Sequence, residues 1–114
     1  MIEIRRAISI RQPFVEAILD GKKIIEYRSR KTNIRERVYI YASLGKRDEE
    51  DFIEFGYEPD KCPRGLIVGS VEITDCTGVE GDYEIHLANP ERLSTFLKPV
   101  NQPQPMFWIP QFNK

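Results

Sequence analysis

The sequence is poor in the residues on which disulfide, metal and membrane functions depend. Among its 114 residues there are only two cysteines, Cys62 and Cys76, and one histidine. Two cysteines without CxxC spacing make neither a disulfide framework nor a zinc ribbon, so we expect a reducing, cytoplasmic setting and no metal. No apolar run approaches the roughly 20 residues that span a bilayer, and we expect no secretory signal because the first residues contain no apolar segment.

Enzyme motifs that spacing alone would reveal are also missing. The sequence has no P-loop, no GxGxxG, no HExxH and no Ser-His-Asp order. These absences exclude the corresponding enzyme classes, and we expect no cofactor. His86, the only histidine, is more often a structural hydrogen-bonding residue than a catalyst when it stands alone.

The residues that are present are those of an ordinary folded protein. The chain is 40% hydrophobic and 31% charged, a balance that argues against disorder. Its length suits one domain, since domains typically run to roughly 100–150 residues. We therefore expect a single domain over residues 1–114.

The formal net charge of −1 hides a division of the chain. Residues 1–47 contain 12 Lys and Arg against 5 Asp and Glu, whereas residues 48–114 contain 5 against 13. Most of the positive charge lies between Gly21 and Arg37. Such segregation predicts a positive surface that attracts a phosphate backbone, or two blocks that pair with each other and leave a neutral surface.

Apolar periodicity and turn residues predict a mostly stranded chain. Strands are expected at Ile4–Ile10, Ile24–Arg30, Val38–Ser43, Gly65–Asp75 (centrally placed) and around Phe107-Trp108 (at a sheet edge). A short helix is expected between Pro13 and Gly21, a second over Lys46–Phe55 and a helical turn over Tyr83–Arg92. The order predicts an α+β fold, a small mixed β-barrel with two or three flanking helices.

The most informative segment runs from Gly21 to Arg28. If it is a strand, Glu26 and Arg28 lie on one face about 7 Å apart, and the opposite face, with Tyr27, is the expected core side. Lys23 joins them only if the turn at Gly21 reorients it. A converging triad would bind a phosphate or a base edge, or supply an amine, whereas an exposed ion-pair network would contribute only about 0–1 kcal/mol per pair.

Other polar residues are weaker candidates. Ser9, Arg11 and Gln12 stand where the first strand gives way to the helix, and Ser43 ends a later strand. The aromatic residues at alternating strand positions would stack on a base, but they are more often core residues.

Several motifs together resemble the ASCH domain family. They are Ala7-Ile8-Ser9-Ile10-Arg11-Gln12-Pro13-Phe14, Gly21-x-Lys23-x-x-Glu26-x-Arg28, Tyr41-Ala42-Ser43, Arg64-Gly65-x-Ile67-Val68-Gly69 and Phe107-Trp108. The resemblance spans about residues 4 to 110. It implies a PUA-like β-barrel, related to domains that bind RNA and modified bases.

The resemblance also implies a site. Lys23, Glu26 and Arg28 would line a cleft between the barrel and the helices, and the motif positions Ser9, Arg11, Gln12 and Ser43 would line the same mouth. The ligand would be RNA or a modified nucleoside or nucleotide. Glu26 would accept hydrogen bonds from a base edge while Arg28 meets phosphate.

Members of the family have also been assigned ribonuclease activity and hydrolysis of the acetyl amide of N4-acetylcytidine. The latter activity uses a lysine at the position of Lys23, a threonine at the position of Glu26 and a more distal glutamate. Here Glu26 replaces the threonine, and Glu72 and Glu84 match the distal glutamate only by type. A small hydrolase with Lys23 and Glu26 as catalytic residues is thus the first alternative, and a protein-interaction module with Asp48–Glu54 as its surface is the second.

Overall fold

Six strands and two helices make up the part of the chain, residues 3–113, that the computed structural model describes. The strands are β1 (Ala7–Ile10), β2 (Ile25–Arg28), β3 (Arg37–Ala42), β4 (Leu66–Val79), β5 (Asp82–Leu97) and β6 (Phe107–Trp108). The helices are α1 (Phe14–Leu19) and α2 (Glu49–Phe55), and a 3-10 turn covers Pro59–Lys61.

The strands form a single curled sheet in the order β2-β5-β4-β3-β1-β6. β1 and β3 run parallel, and the other neighbouring pairs are antiparallel. β4 lies inside the sheet and β6 at its edge, as the sequence predicts. This half-barrel with two helices confirms the α+β, PUA-like barrel expected from the sequence.

Both helices end where their glycines predict. α1 buries Val15, Ala17 and Ile18, and Gly21, with φ +79°, adopts the left-handed conformation just beyond its end. α2 begins with an acidic turn, which suits the positive end of the helix dipole. It ends at Gly56, whose N–H donates to the Phe52 carbonyl at 2.9 Å.

The prediction of a helical turn over Tyr83–Arg92 is wrong, because this segment belongs to β5. Tyr83, Ile85 and Leu87 alternate with more polar residues, and the pairing with β4 and β2 decides the conformation of this stretch. Asn89 and Pro90 lie at a bulge of this strand, where these two residues of β5 oppose the single residue Val71 of β4. A bulge tolerates the missing N–H of a proline.

The main core lies between α1 and the inner face of the sheet. Ile8 and Ile10 of β1 pack there with Ile40, Val68 and Ile85 from three other strands. A smaller core on the other side joins Tyr41 to Trp108, whose rings meet edge to face at 5.4 Å. Among residues 3–113 there is no helix of the length and apolar character needed to cross a membrane.

Gly69 of β4 permits the close packing of α1 on the sheet. A Cβ at this position would lie 2.6 Å from Leu19 Cδ2 and 2.7 Å from the backbone oxygen of Glu91. The backbone oxygen is fixed by the β4–β5 ladder, so the clash cannot be relieved by a side-chain rotation alone. Gly69 therefore helps to set the position of α1 against the sheet.

We expect Gly69→Ala to lower the free energy of unfolding by about 1–3 kcal/mol, the usual cost of overpacking a core. Urea titration followed by circular dichroism measures it. Gly45→Ala is the matched control, since its Cβ would meet only Arg11 Nε at 3.9 Å, and its unfolding midpoint should match or slightly exceed that of the wild type. Equal midpoints for Gly69→Ala and the wild type would contradict the packing argument.

Candidate functional site

A cleft of about 680 Å³ opens between the two helices, the β2 edge and the end of β1. Its wall combines polar and charged side chains from the basic half of the chain with several aromatic rings. The residues that line it are Ser9, Arg11, Phe14, Lys23, Glu26, Tyr27, Arg28, Ser43, Gly45, Arg47, Glu54, Phe55, Pro105 and Met106. Of the seven site residues expected from the sequence, six are in this set.

Lys23, Glu26 and Arg28 converge in this cleft. The chain reverses through Gly21, and the Lys23 ammonium lies 3.6 Å from Glu26 Oε1. Arg28 holds the other oxygen, with its Nη2 at 2.8 Å and its Nε at 2.9 Å from Glu26 Oε2. The Glu26 side chain is only 7% exposed, so two cations offset the cost of burying its charge.

Glu26 and Arg28 lie on the inward face of β2, whereas the sequence predicts that they face outward. The sequence predicts Tyr27 on the core side, whereas Tyr27 is 60% exposed and Glu26 is buried. This prediction is wrong because it counts a carboxylate as an outward residue. Glu26 can face inward since Lys23 and Arg28 neutralise it there.

Lys23 and Arg28 differ in how their donors are used. Arg28 Nη2 also donates to the Ser9 carbonyl at 2.6 Å, which links β2 to the end of β1. The Lys23 ammonium lies 4.7 Å from the ring centroid of Phe14 and 5.1 Å from that of Tyr27. Within residues 3–113 its N–H groups donate no hydrogen bond, although nine-tenths of the side chain is buried. Lys23 thus has unused donors that face the cleft.

Of the remaining predicted residues, some line the cleft and others stabilise the structure around it. Arg11 and Ser43 line the cleft. Ser9 also lines it, but its hydroxyl donates to the Gln104 carbonyl at 2.7 Å and accepts from Trp108 Nε1 at 2.9 Å. Ser9 therefore anchors the 104–108 segment.

Gln12 lies outside the cleft wall and is fully buried. Its amide nitrogen donates to the Pro63 carbonyl at 3.0 Å and to Glu16 Oε2 at 3.2 Å. Its amide oxygen accepts from the Glu16 N–H at 3.2 Å. All of these partners are structural, so its position favours a role in supporting α1 over one in contacting a ligand.

Seven side chains of the cleft wall were not assigned to the site by sequence reasoning: Phe14, Tyr27, Arg47, Glu54, Phe55, Pro105 and Met106. The signal for three of them was the predicted helix over Lys46–Phe55, but nothing in its periodicity placed it beside the early basic segment. Phe14 is the first residue of α1, and it packs edge to face on Phe55 at 5.9 Å across the cleft wall.

The other candidates by residue type lie elsewhere. Glu72 faces Arg37 at 3.4 Å, and His86 Nε2 contacts Thr77 Oγ1 at 2.8 Å. Burial raises the pKa of the Cys62 thiol. Across residues 3–113, no three His, Cys, Asp or Glu side chains are grouped as ligands of a metal ion would be.

The comparisons with known proteins agree with this architecture. The family model described as the ASCH domain matches residues 8–101. A solved structure, ASCH from Zymomonas mobilis, is similar with a TM-score of 0.60 and 17% sequence identity, covering 91% of this chain and 85% of that one. At this identity the likeness shows the fold alone. No curated protein matches the chain.

A cluster of charged groups behind the cleft fastens the two helices together. Arg92 of β5 donates to Glu16 at 2.9 Å and to Asp20 at 2.7 Å, and Tyr57, just beyond α2, donates its hydroxyl to Asp20. Lys22 lies over the Tyr57 ring at 4.4 Å. The Tyr57 hydroxyl and the Arg92 guanidinium hold the pKa of Asp20 below its ordinary value.

This cluster predicts a loss of stability in acid. Because the pKa of Asp20 is lowered by folding, its contribution is present at neutral pH and is lost as the pH falls below about 4. Asp20→Asn should therefore unfold at lower urea than the wild type at pH 7, and the gap should narrow at pH 3. Asp82→Asn, which changes an exposed carboxylate at the start of β5, far along the strand from Arg92, is the control and should give no such gap. A gap for Asp20→Asn that is the same at both pH values would show that its carboxylate charge contributes nothing.

Proposed function

The chain belongs to the ASCH domain family, and from this premise we propose that it binds RNA or a modified nucleoside through the cleft lined by Lys23, Glu26 and Arg28. One observation carries the proposal. At the inner end of the cleft an ammonium with unused N–H donors lies beside a carboxylate oxygen, Glu26 Oε1, that accepts no hydrogen bond within residues 3–113.

This pair matches the edge of a nucleobase. Cytosine presents an exocyclic amino donor next to a ring acceptor. Glu26 Oε1 would accept from the amino group while the Lys23 ammonium donates to the ring nitrogen or carbonyl. Other bases also place a donor beside an acceptor, so the pair supports recognition of base edges as a class.

The surrounding rings suit the same ligand. Phe14 and Tyr27 flank the Lys23 ammonium, and Tyr27 is largely exposed. A base that lies on the exposed Tyr27 ring gains stacking, which contributes about 1–3 kcal/mol per base in single-strand binding sites. Aromatic faces beside a polar floor are how proteins commonly recognise unpaired bases.

We expect Lys23→Met to weaken cytidine binding at least about tenfold, because one charge-assisted hydrogen bond to the base is lost. Isothermal titration calorimetry with cytidine and N4-acetylcytidine measures it, after circular dichroism has verified the fold. Lys61→Met is the matched control, since Lys61 is 80% exposed and pairs only with Glu58. The proposal fails if the wild type binds neither nucleoside nor single-stranded RNA, or if both variants bind alike.

Hydrolysis of a nucleoside amide is a second candidate function, which the position of Glu54 favours. The amidohydrolase pattern needs a second carboxylate, and Glu54 lines the same cleft as Lys23 and Glu26. Neither of the glutamates first matched by type, Glu72 and Glu84, is among the lining residues. Glu54 would act on a water at the amide that Lys23 and Glu26 orient.

The hydrolase hypothesis predicts that the wild type releases cytidine and acetate from N4-acetylcytidine, followed by chromatography. Glu54→Gln should then lower the rate by about 100-fold or more, as expected for loss of a general base. Glu50→Gln removes an exposed carboxylate of the same helix outside the cleft and should leave the rate unchanged. No release above the buffer rate would reject the hydrolase and leave the binding function standing.

The protein-interaction role of the acidic helix stays a prediction. Glu49, Glu50 and Ile53 of α2 are exposed, and Ile53 reaches 71%.

A further inference from the structure

We propose that the ligand of the cleft is a nucleotide, free or within a strand, whose phosphate binds Arg11 and Arg47 at the outer rim while its base occupies the inner end. The inference rests on the proposed function and narrows its substrate class from nucleosides to phosphorylated ones. It also moves the phosphate from Arg28, where sequence reasoning expects it, to two other arginines.

The inner end of the cleft is unsuited to a phosphate. Arg28 already donates from Nε and Nη2 to Glu26, and from Nη2 to the Ser9 carbonyl. A phosphate that took these donors would break the pairing that offsets the burial of the Glu26 carboxylate. A base edge that uses the Lys23 donors and Glu26 Oε1 leaves the Arg28 pairing intact.

The outer rim has the opposite character. Arg11 is exposed and makes no ion pair or side-chain hydrogen bond within residues 3–113. In the described part of the chain Arg47 donates only from its Nε, to Asp51 at 2.9 Å, so both of its terminal nitrogens are unused there. Two guanidinium groups with unused donors on one cleft wall are suited to bidentate binding of phosphate oxygens.

The two arginines are also close enough to the base site. Arg47 Cζ lies 5.2 Å from the ring centroid of Phe14, and the Lys23 ammonium lies 4.7 Å from the same centroid. Arg11 Nε lies 3.9 Å from the position that a Cβ on Gly45 would take, two residues before Arg47 in the chain. Because the charged groups of Lys23 and Arg47 both lie within 5.2 Å of the Phe14 centroid, the base site and the rim are close enough for one nucleotide to reach both.

The test compares cytidine with cytidine 5′- and 3′-monophosphate at low salt by isothermal titration calorimetry. We expect one of the monophosphates to bind about tenfold tighter than cytidine, the gain of a charge-assisted contact at a partly exposed site. In Arg11→Gln/Arg47→Gln the ratio of the two dissociation constants should fall to about one. Lys46→Gln removes a neighbouring exposed charge that does not line the cleft, and the ratio should persist.

Each other outcome separates this inference from the function on which it rests. Equal affinity for cytidine and both monophosphates would overturn the phosphate subsite and leave nucleoside binding intact. A preference that survives in the double variant, or is lost equally in Lys46→Gln, would overturn the assignment to Arg11 and Arg47.

Ribose 5-phosphate serves as a probe that lacks the base. If it shifts the arginine side-chain resonances of Arg11 and Arg47 while cytidine does not bind, the proposed base-binding function fails and the phosphate subsite stands. If ribose 5-phosphate and the monophosphates all fail to bind, the phosphate subsite is overturned as well.

Discussion

The buried carboxylate of Glu26 is the constraint on which the cleft depends. An ionised carboxylate with so little exposure is unfavourable unless it is paired, and removing one partner from a buried pair typically costs several kcal/mol. Arg28 supplies the closer pairing and at the same time donates to the Ser9 carbonyl. One side chain therefore neutralises Glu26 and ties β2, a sheet edge, to the end of β1, which is not its sheet neighbour. The cleft exists because these two elements are held apart at a fixed distance.

That arrangement divides the motif residues by role. Arg28, Ser9 and Gln12 form hydrogen bonds within the protein. Arg28 donates to Glu26, Ser9 donates to the Gln104 carbonyl in the 104–108 segment, and Gln12 accepts from the Glu16 N–H at the start of α1. Lys23 keeps its donors because rings, not acceptors, surround much of its ammonium. A shared sequence motif thus combines residues that build a cleft with residues that face into it. Residue type alone does not separate the two groups, since the cation Arg28 is structural whereas the cation Lys23 faces the cleft.

Sequence reasoning is accurate where one local signal decides the structure. The glycines beyond α1 and α2 mark the helix ends, and the apolar run of β4 marks an inner strand. It is inaccurate where a distant partner decides. Tyr27 is exposed because its neighbour Glu26 faces inward, where Lys23 and Arg28 neutralise its charge. β5 is a strand because β4 and β2 pair with it on both sides. The site shows the same limit: the Lys23, Glu26 and Arg28 spacing is visible in the chain, whereas Arg47 and Glu54 reach the cleft only through the placement of α2.

The basic and acidic halves of the chain form ion pairs with each other at some places and leave an excess of positive charge at another. Arg37 of the basic half is neutralised by Glu72 and Glu91 of the acidic half at 3.4 and 3.3 Å, and Arg92 reverses the relation by pairing with acids of the first half. The Arg37 pairs lie on the outer face of the sheet and the Arg92 pairs lie behind α1. At both places acidic and basic side chains neutralise each other. The cleft is different because its cations, Arg11 and Lys23 among them, outnumber the two carboxylates that line it. An excess of positive charge confined to a concave wall focuses its field on the space within. An excess of positive charge from the basic half is therefore concentrated on the wall of the cleft.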